Sequence, residues 1–318
     1  MKNKLDFRRI IIFILFSFGI TWALALVIYF QGGLADLTPG TTIWFLIVMA
    51  MFAPALATTF TRWITKEGWK NNYLKVNLKQ NRRYWLIAWL VTPVLLLLGM
   101  GLYFVLFPQY FDESFGGITK ILTQTAQRLG KPIPISPQLF LVIQIFQVIL
   151  IGPIVNGIAT FGEEFGWRAY LLQKFMPLGA RKATVIVGFI WGIWHWPFLY
   201  MGYEYGFDYP GYPWLGPVVF IWFTFIIGTI LAWLTLKSRS IWPAVITHAA
   251  LNGIAPLALL LIKGQPNTLI GPGAVGLIAS LPFAILALIL LWRSNVFTPV
   301  QSIQNQSAPR SSYMKANA

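Results

Sequence analysis

The chain has no cysteine, only 2 histidines among 318 residues, and charge on just 10% of its positions. The missing cysteine excludes disulfides and any thiolate metal site. The shortage of charge, against about 25% in an ordinary soluble domain, excludes the usual water-facing surface. Acidic residues are especially few: 9 Asp and Glu stand against 24 Lys and Arg, for a formal net charge of +15. In a soluble chain that excess would point to nucleic acid, so where the basic residues fall matters.

What fills the chain is apolar: 57% of residues are hydrophobic and 16% aromatic. A helix crosses a bilayer with about 20 apolar residues. Eight stretches qualify: roughly 10–30, 42–61, 84–107, 139–161, 183–202, 216–236, 241–262 and 273–292. The fourth continues into apolar sequence as far as Met176, with a kink expected at Gly152-Pro153. Lys2, Lys4, Arg8 and Arg9 precede the first stretch as they would a signal peptide. Its apolar core is too long for one, and no small-residue cleavage pattern follows.

The basic residues alternate with the loops. The N-terminus, the 62–83 loop, the loops with Lys174, Arg181 and Lys182 and with Lys237 and Arg239, and the C-terminal end hold 19 of them. The opposite loops hold only 4: Lys120, Arg128, Lys131 and Lys263. This bias puts both termini in the cytoplasm. It turns the basic excess into a topology signal and argues against a nucleic-acid partner. The expected fold is all-α: a polytopic transmembrane bundle of about eight spans, with the lipid bilayer as its surroundings. An amphipathic helix is expected near 118–129, and an interfacial aromatic loop over 203–216. The polar tail after 293 reads as disordered. No internal repeat is evident, which weakens a transporter reading.

Two acids remain inside the apolar zone, Glu163 and Glu164 in "FGEEFGWRAYLLQ", and both histidines, His195 and His248, lie within expected spans. Ionised groups at that depth cost on the order of 2.5–3.5 kcal/mol on insertion scales, face the bundle interior and mark function. Glu164 and Arg168 are four apart and share a helix face; Glu163 is rotated about 100° away. His248 and Asn252 also share a face. The groups come from three spans and could meet in one polar cluster. A carboxylate beside a histidine can deprotonate water, and a histidine with an asparagine can stabilise an oxyanion. Each signal also has a plainer reading, as a structural ion pair or as interhelical hydrogen bonding. Gln144, Gln147 and Asn156 read as such interhelical contacts.

In these residues the sequence resembles the CAAX protease and bacteriocin-processing family of intramembrane endopeptidases. The family's motifs EExxxR, FxxxH and Hxxx(N/D) read here as Glu163-Glu164 to Arg168, Trp191 to His195, and His248 to Asn252. Trp191 stands where the family usually has phenylalanine. The resemblance covers roughly residues 150–260. It implies a catalytic core over 138–262, preceded by spans and an outer loop over 1–137 and followed by a last span at 263–293 and a tail at 294–318. It implies that Glu163 with His195 activates water, that His248 and Asn252 form the oxyanion hole, and that Glu164 and Arg168 orient the site. It implies a membrane-anchored peptide or protein substrate, prenylated CAAX-type or bacteriocin-like, and residence in a prokaryotic plasma membrane. A metal-free glutamate mechanism is favoured because no HExxH helix is present. The zinc alternative would use Glu163, His195 and His248. A proton-coupled carrier, or an inactive immunity or binding protein on the same scaffold, is the competing function.

Overall fold

A computed structural model describes residues 5–70 and 72–297. Among these, secondary structure is helical, with one isolated β-bridge between Phe111 and Ile262. In chain order the helices are α1 (Phe7–Phe30), α2 (Thr42–Ile64), α3 (Leu78–Leu106), α4 (Gly116–Leu129), α5 (Pro137–Leu150), α6 (Gly152–Gly166), α7 (Leu172–Phe175), α8 (Ala180–Trp194), α9 (Trp196–Tyr200), α10 (Leu215–Ser238), α11 (Trp242–Ile254) and α12 (Leu281–Arg293). A π-helical turn, Trp167–Leu171, joins α6 to α7, and a 3-10 stretch, Ala255–Leu261, extends α11.

Five helices are long and apolar enough to cross a membrane, and the pair Pro137–Leu150 with Gly152–Leu178, bent by 48°, makes six. The bend falls at the expected Gly152-Pro153 step, where proline removes a backbone donor. The amphipathic helix expected at 118–129 is α4. Two expected spans differ. The stretch 183–202 is not one helix: it stops at Trp194 and restarts at Trp196, with His195 at the joint. Pro197, near the start of α9, has no N–H to carry the hydrogen-bond ladder across. The stretch 273–292 is helical only from Leu281, because Pro272, Gly273 and Gly276 keep the preceding segment in turns. At 1.5 Å per residue α12 covers about 20 Å, short of the roughly 30 Å of a hydrocarbon core. The tail beyond 297 lies outside the described residues.

The core runs along α10 and α11, the most buried of the long helices. α6 packs between α2 and α11, and α8 packs on α10. α1, α2 and α3 present rows of Leu, Phe, Ile and Val outward, the surface that lipid tails would cover. The loops expected on one side meet at one end of the bundle. Arg9 at the start of α1 binds Thr65 after α2 at 3.1 Å. Ile241 donates to the Tyr73 carbonyl at 3.0 Å, and Arg181 donates to the Leu291 carbonyl at 2.9 Å. At the other end, Asp112 donates to Leu261 at 2.9 Å and the Tyr205 hydroxyl donates to Val275 at 3.0 Å.

Two contacts tie the first helices to the α6–α7 segment: one between α2 and α6, the other from the ends of α1 and α2 to the π turn and α7. The first is apolar and close. A Cβ on Gly162 would sit 2.6 Å from the Met51 carbonyl oxygen, and one on Gly166 would sit 2.3 Å from the Pro54 Cβ. Only glycine lets the two backbones approach so far, the small-xxx-small device of membrane helix pairs. The glycines bracket Glu163 and Glu164, so the approach of α2 sets where that pair sits. The second contact is polar. Glu67, just past α2, pairs with Lys174, accepts a hydrogen bond from the Tyr170 hydroxyl at 3.0 Å, and lies 3.3 Å from Arg9. Partial burial pushes the Glu67 carboxyl up, but the hydrogen bond and charge of Lys174, with Tyr170 and Arg62, outweigh it and hold it below the ordinary carboxylate value.

Two outcomes follow for the protein in detergent. Gly166→Ala should lower unfolding stability by about 1–3 kcal/mol through overpacking against Pro54. Gly101→Ala, inside α3 with nothing within 4 Å of the added methyl, should not lower thermal stability and should raise it by up to about 1 kcal/mol through helix propensity. Because its folded-state value is depressed, Glu67 contributes stability above about pH 4.3, its unfolded value. That contribution is lost as pH falls through the lower folded value. A melting series from pH 7 to 3 should fall more steeply for the native chain than for Glu67→Gln.

Candidate functional site

α6 brings Glu163 and Glu164 into the interior, 2% and 0% exposed, and the π turn carries Arg168 in with them at 1%. The regular helix expected through this stretch widens there, as helices often do at functional sites. The i,i+4 pair survives: Arg168 Nη1 donates to Glu164 Oε1 at 3.0 Å. α11 adds His248, whose Nδ1 lies 2.9 Å from the same Glu164 oxygen. A carboxylate oxygen can only accept, so Nδ1 carries the hydrogen and Nε2 is left for a reacting group. Sequence spacing alone pairs Glu164 only with Arg168. The structure makes it a shared acceptor that also orients His248.

His195 sits half-buried at the joint of α8 and α9. Its Nδ1 is 2.9 Å from the Trp191 carbonyl oxygen. That oxygen is again an acceptor only, so neutral His195 keeps its Nε2 lone pair available. The ring stands edge-on to Trp194 at 4.6 Å and tilted against Phe220 at 4.7 Å. Trp194 is itself anchored to α1, its indole N–H donating to the Thr21 hydroxyl at 2.8 Å, while Trp22 donates back to the Trp194 carbonyl at 3.2 Å.

Glu163 takes a different hydrogen-bond partner from the Glu164–Arg168 pair, on the neighbouring side of the helix. Its Oε2 accepts from the Trp191 indole N–H at 2.7 Å. Among the described residues it makes no hydrogen bond with His195. The two are linked through Trp191, which contacts both. Asn252, one turn beyond His248 on the same face, is exposed and makes no hydrogen bond with a described residue. Its carboxamide is therefore free to serve a ligand. Asn156 reaches the Ala249 carbonyl at 3.5 Å, and Gln144 reaches Gln147 at 3.5 Å, the latter within α5 rather than between helices.

Trp191 is a site residue that the motifs do not mark: as an aromatic in place of phenylalanine it carries no charged signature in the sequence. An indole N–H one helical turn before His195 was the available signal, since in an apolar bundle such a donor needs an acceptor.

Among the described residues, no group of three His, Asp or Glu side chains is arranged to hold a metal. Glu164 is committed to Arg168 and His248, while each histidine bonds through Nδ1 and keeps Nε2 open, an arrangement shared by acid–base and metal-ligating imidazoles.

Residues 137–254 match the family model described as type II CAAX prenyl endopeptidase Rce1-like. Over 97 residues the chain is 33% identical to the protein named CAAX prenyl protease 2 of Methanococcus maripaludis, a stretch that covers 30% of this chain and 35% of that relative. The chain therefore aligns with about a third of the relative's length.

The buried acid pair makes a stability prediction. Arg168→Leu leaves Glu164 buried with one partner fewer and should cost about 3–5 kcal/mol in detergent unfolding. Asn252→Ala, at an exposed position, should stay within about 0.5 kcal/mol of the native chain.

Proposed function

We propose that the chain, whose residues 137–254 match the CAAX prenyl endopeptidase family model, is an intramembrane endopeptidase that hydrolyses a peptide bond of a membrane-anchored substrate. The observation that carries the reading is the hydrogen bond from His248 to Glu164. It joins two polar groups 84 residues apart in sequence, on different helices, into one cluster that Trp191 extends to Glu163 and His195.

In the proposed reaction Glu163, assisted by His195, accepts a proton from water, and the resulting hydroxide oxygen bonds to the scissile carbonyl carbon. The carbonyl electron pair moves onto oxygen. His248 as the imidazolium, its Nδ1 held by Glu164, donates there from Nε2, together with the Asn252 carboxamide. The proton held by Glu163 passes to the amide nitrogen as the C–N bond breaks, releasing an amine and a carboxylic acid, whose proton then passes to the amine as the products leave as carboxylate and ammonium. Arg168 balances Glu164 and keeps it in place. No step requires a metal, and the mechanism we propose is of the glutamate type.

The substrate class we propose is a peptide whose lipid anchor, a prenyl group in the CAAX-type case, keeps it at the bilayer. The basic-rich end of the bundle would face the cytoplasm of a prokaryotic cell.

Glu163→Gln in proteoliposomes should reduce cleavage of a quenched farnesylated CAAX peptide by at least about 10³-fold, of the order seen when catalytic groups are removed. Its melting temperature should stay near native. Elemental analysis should find no stoichiometric zinc, and a chelator should leave cleavage intact. A comparison of membrane peptides in cells carrying the native chain or Glu163→Gln widens the substrate search; if no cleavage product depends on Glu163, the endopeptidase reading is wrong.

A further inference from the structure

Trp191 is 2% exposed and touches four of the polar groups of the site. Its indole N–H donates to Glu163 Oε2 at 2.7 Å. Its ring lies under the Arg168 guanidinium, whose carbon is 4.4 Å from the ring centroid. The same ring stands edge-on to His248 at 5.3 Å and to His195 at 5.8 Å. Its main-chain carbonyl takes the His195 Nδ1 hydrogen.

Each contact has a distinct physical effect. The indole nitrogen is a donor only, and a hydrogen bond to a carboxylate is among the stronger ones available to a neutral donor. It engages one oxygen of Glu163 and fixes the plane of the carboxylate, leaving Oε1 for water. The ring face attracts the guanidinium, so Arg168 is held toward Glu164 from the other side. The flat indole also sets the spacing of the two imidazoles. A phenylalanine, the residue the family motif usually carries here, would keep the ring contacts but could not donate to Glu163.

We propose that Trp191 is a positioning residue of this site: it orients the Glu163 carboxylate through its indole N–H while its ring spaces Arg168, His195 and His248. The proposal rests on the reading of Glu163 as the water-activating base. It makes this chain's site depend on a donor outside the polar residues of its three motifs.

The test isolates the N–H. β-(3-Benzothienyl)alanine placed at position 191 keeps the bicyclic shape and replaces N–H by sulfur; Trp191→Phe is the genetic counterpart. Both would be assayed in proteoliposomes on the quenched farnesylated CAAX peptide, beside the native chain and Glu163→Gln. The expected result is a fall in kcat of about 10- to 100-fold, the range for one charge-assisted hydrogen bond lost from an active site. KM should move less than threefold and the benzothienyl protein should remain folded at the assay temperature, so that the loss is confined to kcat, a split that a merely structural role would not produce. If Glu163→Gln is inactive and the benzothienyl protein keeps native kcat, the proposal is overturned while the endopeptidase reading stands. If Glu163→Gln still cleaves, the endopeptidase reading of Glu163 fails first. If the native chain does not cleave this peptide, infrared difference spectra decide. The carboxylate stretch that disappears in Glu163→Gln should shift in the benzothienyl protein; an unshifted band overturns the proposal.

Discussion

Everything in the interior of this protein is arranged around one carboxylate oxygen. Glu164 Oε1 takes hydrogen bonds from Arg168 at 3.0 Å and His248 at 2.9 Å, at a position with no solvent exposure. A buried carboxylate is tolerable only when paired and hydrogen-bonded. That requirement dictates that the π turn bring Arg168 inward and that α11 lie against α6. Once those helices are set, Glu163 on the neighbouring face is aimed at α8, where Trp191 receives it.

The frame that holds this arrangement extends beyond the region matched by the family. α2 contributes no polar motif, yet Pro54 and Met51 lie so close to Gly166 and Gly162 that no side chain fits between. α1 supports the His195 joint through Thr21 and Trp22. Glu67 then clamps the ends of α1, α2 and α7 together with Arg9, Arg62, Tyr170 and Lys174. These helices act as a wall against which α6, α8 and α11 are pressed.

Some of the site was legible residue by residue, because its signals are local. The Glu164–Arg168 pair follows from four-residue spacing on a helix. The bend before α6 follows from Gly152-Pro153. Glu163, His195 and His248 stood out because ionisable side chains are costly in apolar surroundings and so are seldom placed there without use. The partner of Glu163 was not legible. A tryptophan among 15 in the chain carries no mark that its N–H faces an acid. The interruption at His195 and the shortness of α12 were missed for a related reason. Hydropathy averages over a window and does not register one proline or a pair of glycines that end a helix.

By itself, then, the sequence determined the class of the protein: apolar runs long enough for lipid, and basic residues sorted into alternate loops that meet at one end of the bundle. It also named the few polar groups with chemistry to perform. Tertiary structure decided how those groups are wired. The hydrogen bonds from His248 to Glu164 and from Trp191 to Glu163 span 84 and 28 positions in the chain. Hydropathy and helical periodicity are properties of neighbouring residues. Contacts across such distances depend on which helices lie side by side and how closely, and here that follows from bare glycine faces and from buried carboxylates that need hydrogen-bond donors.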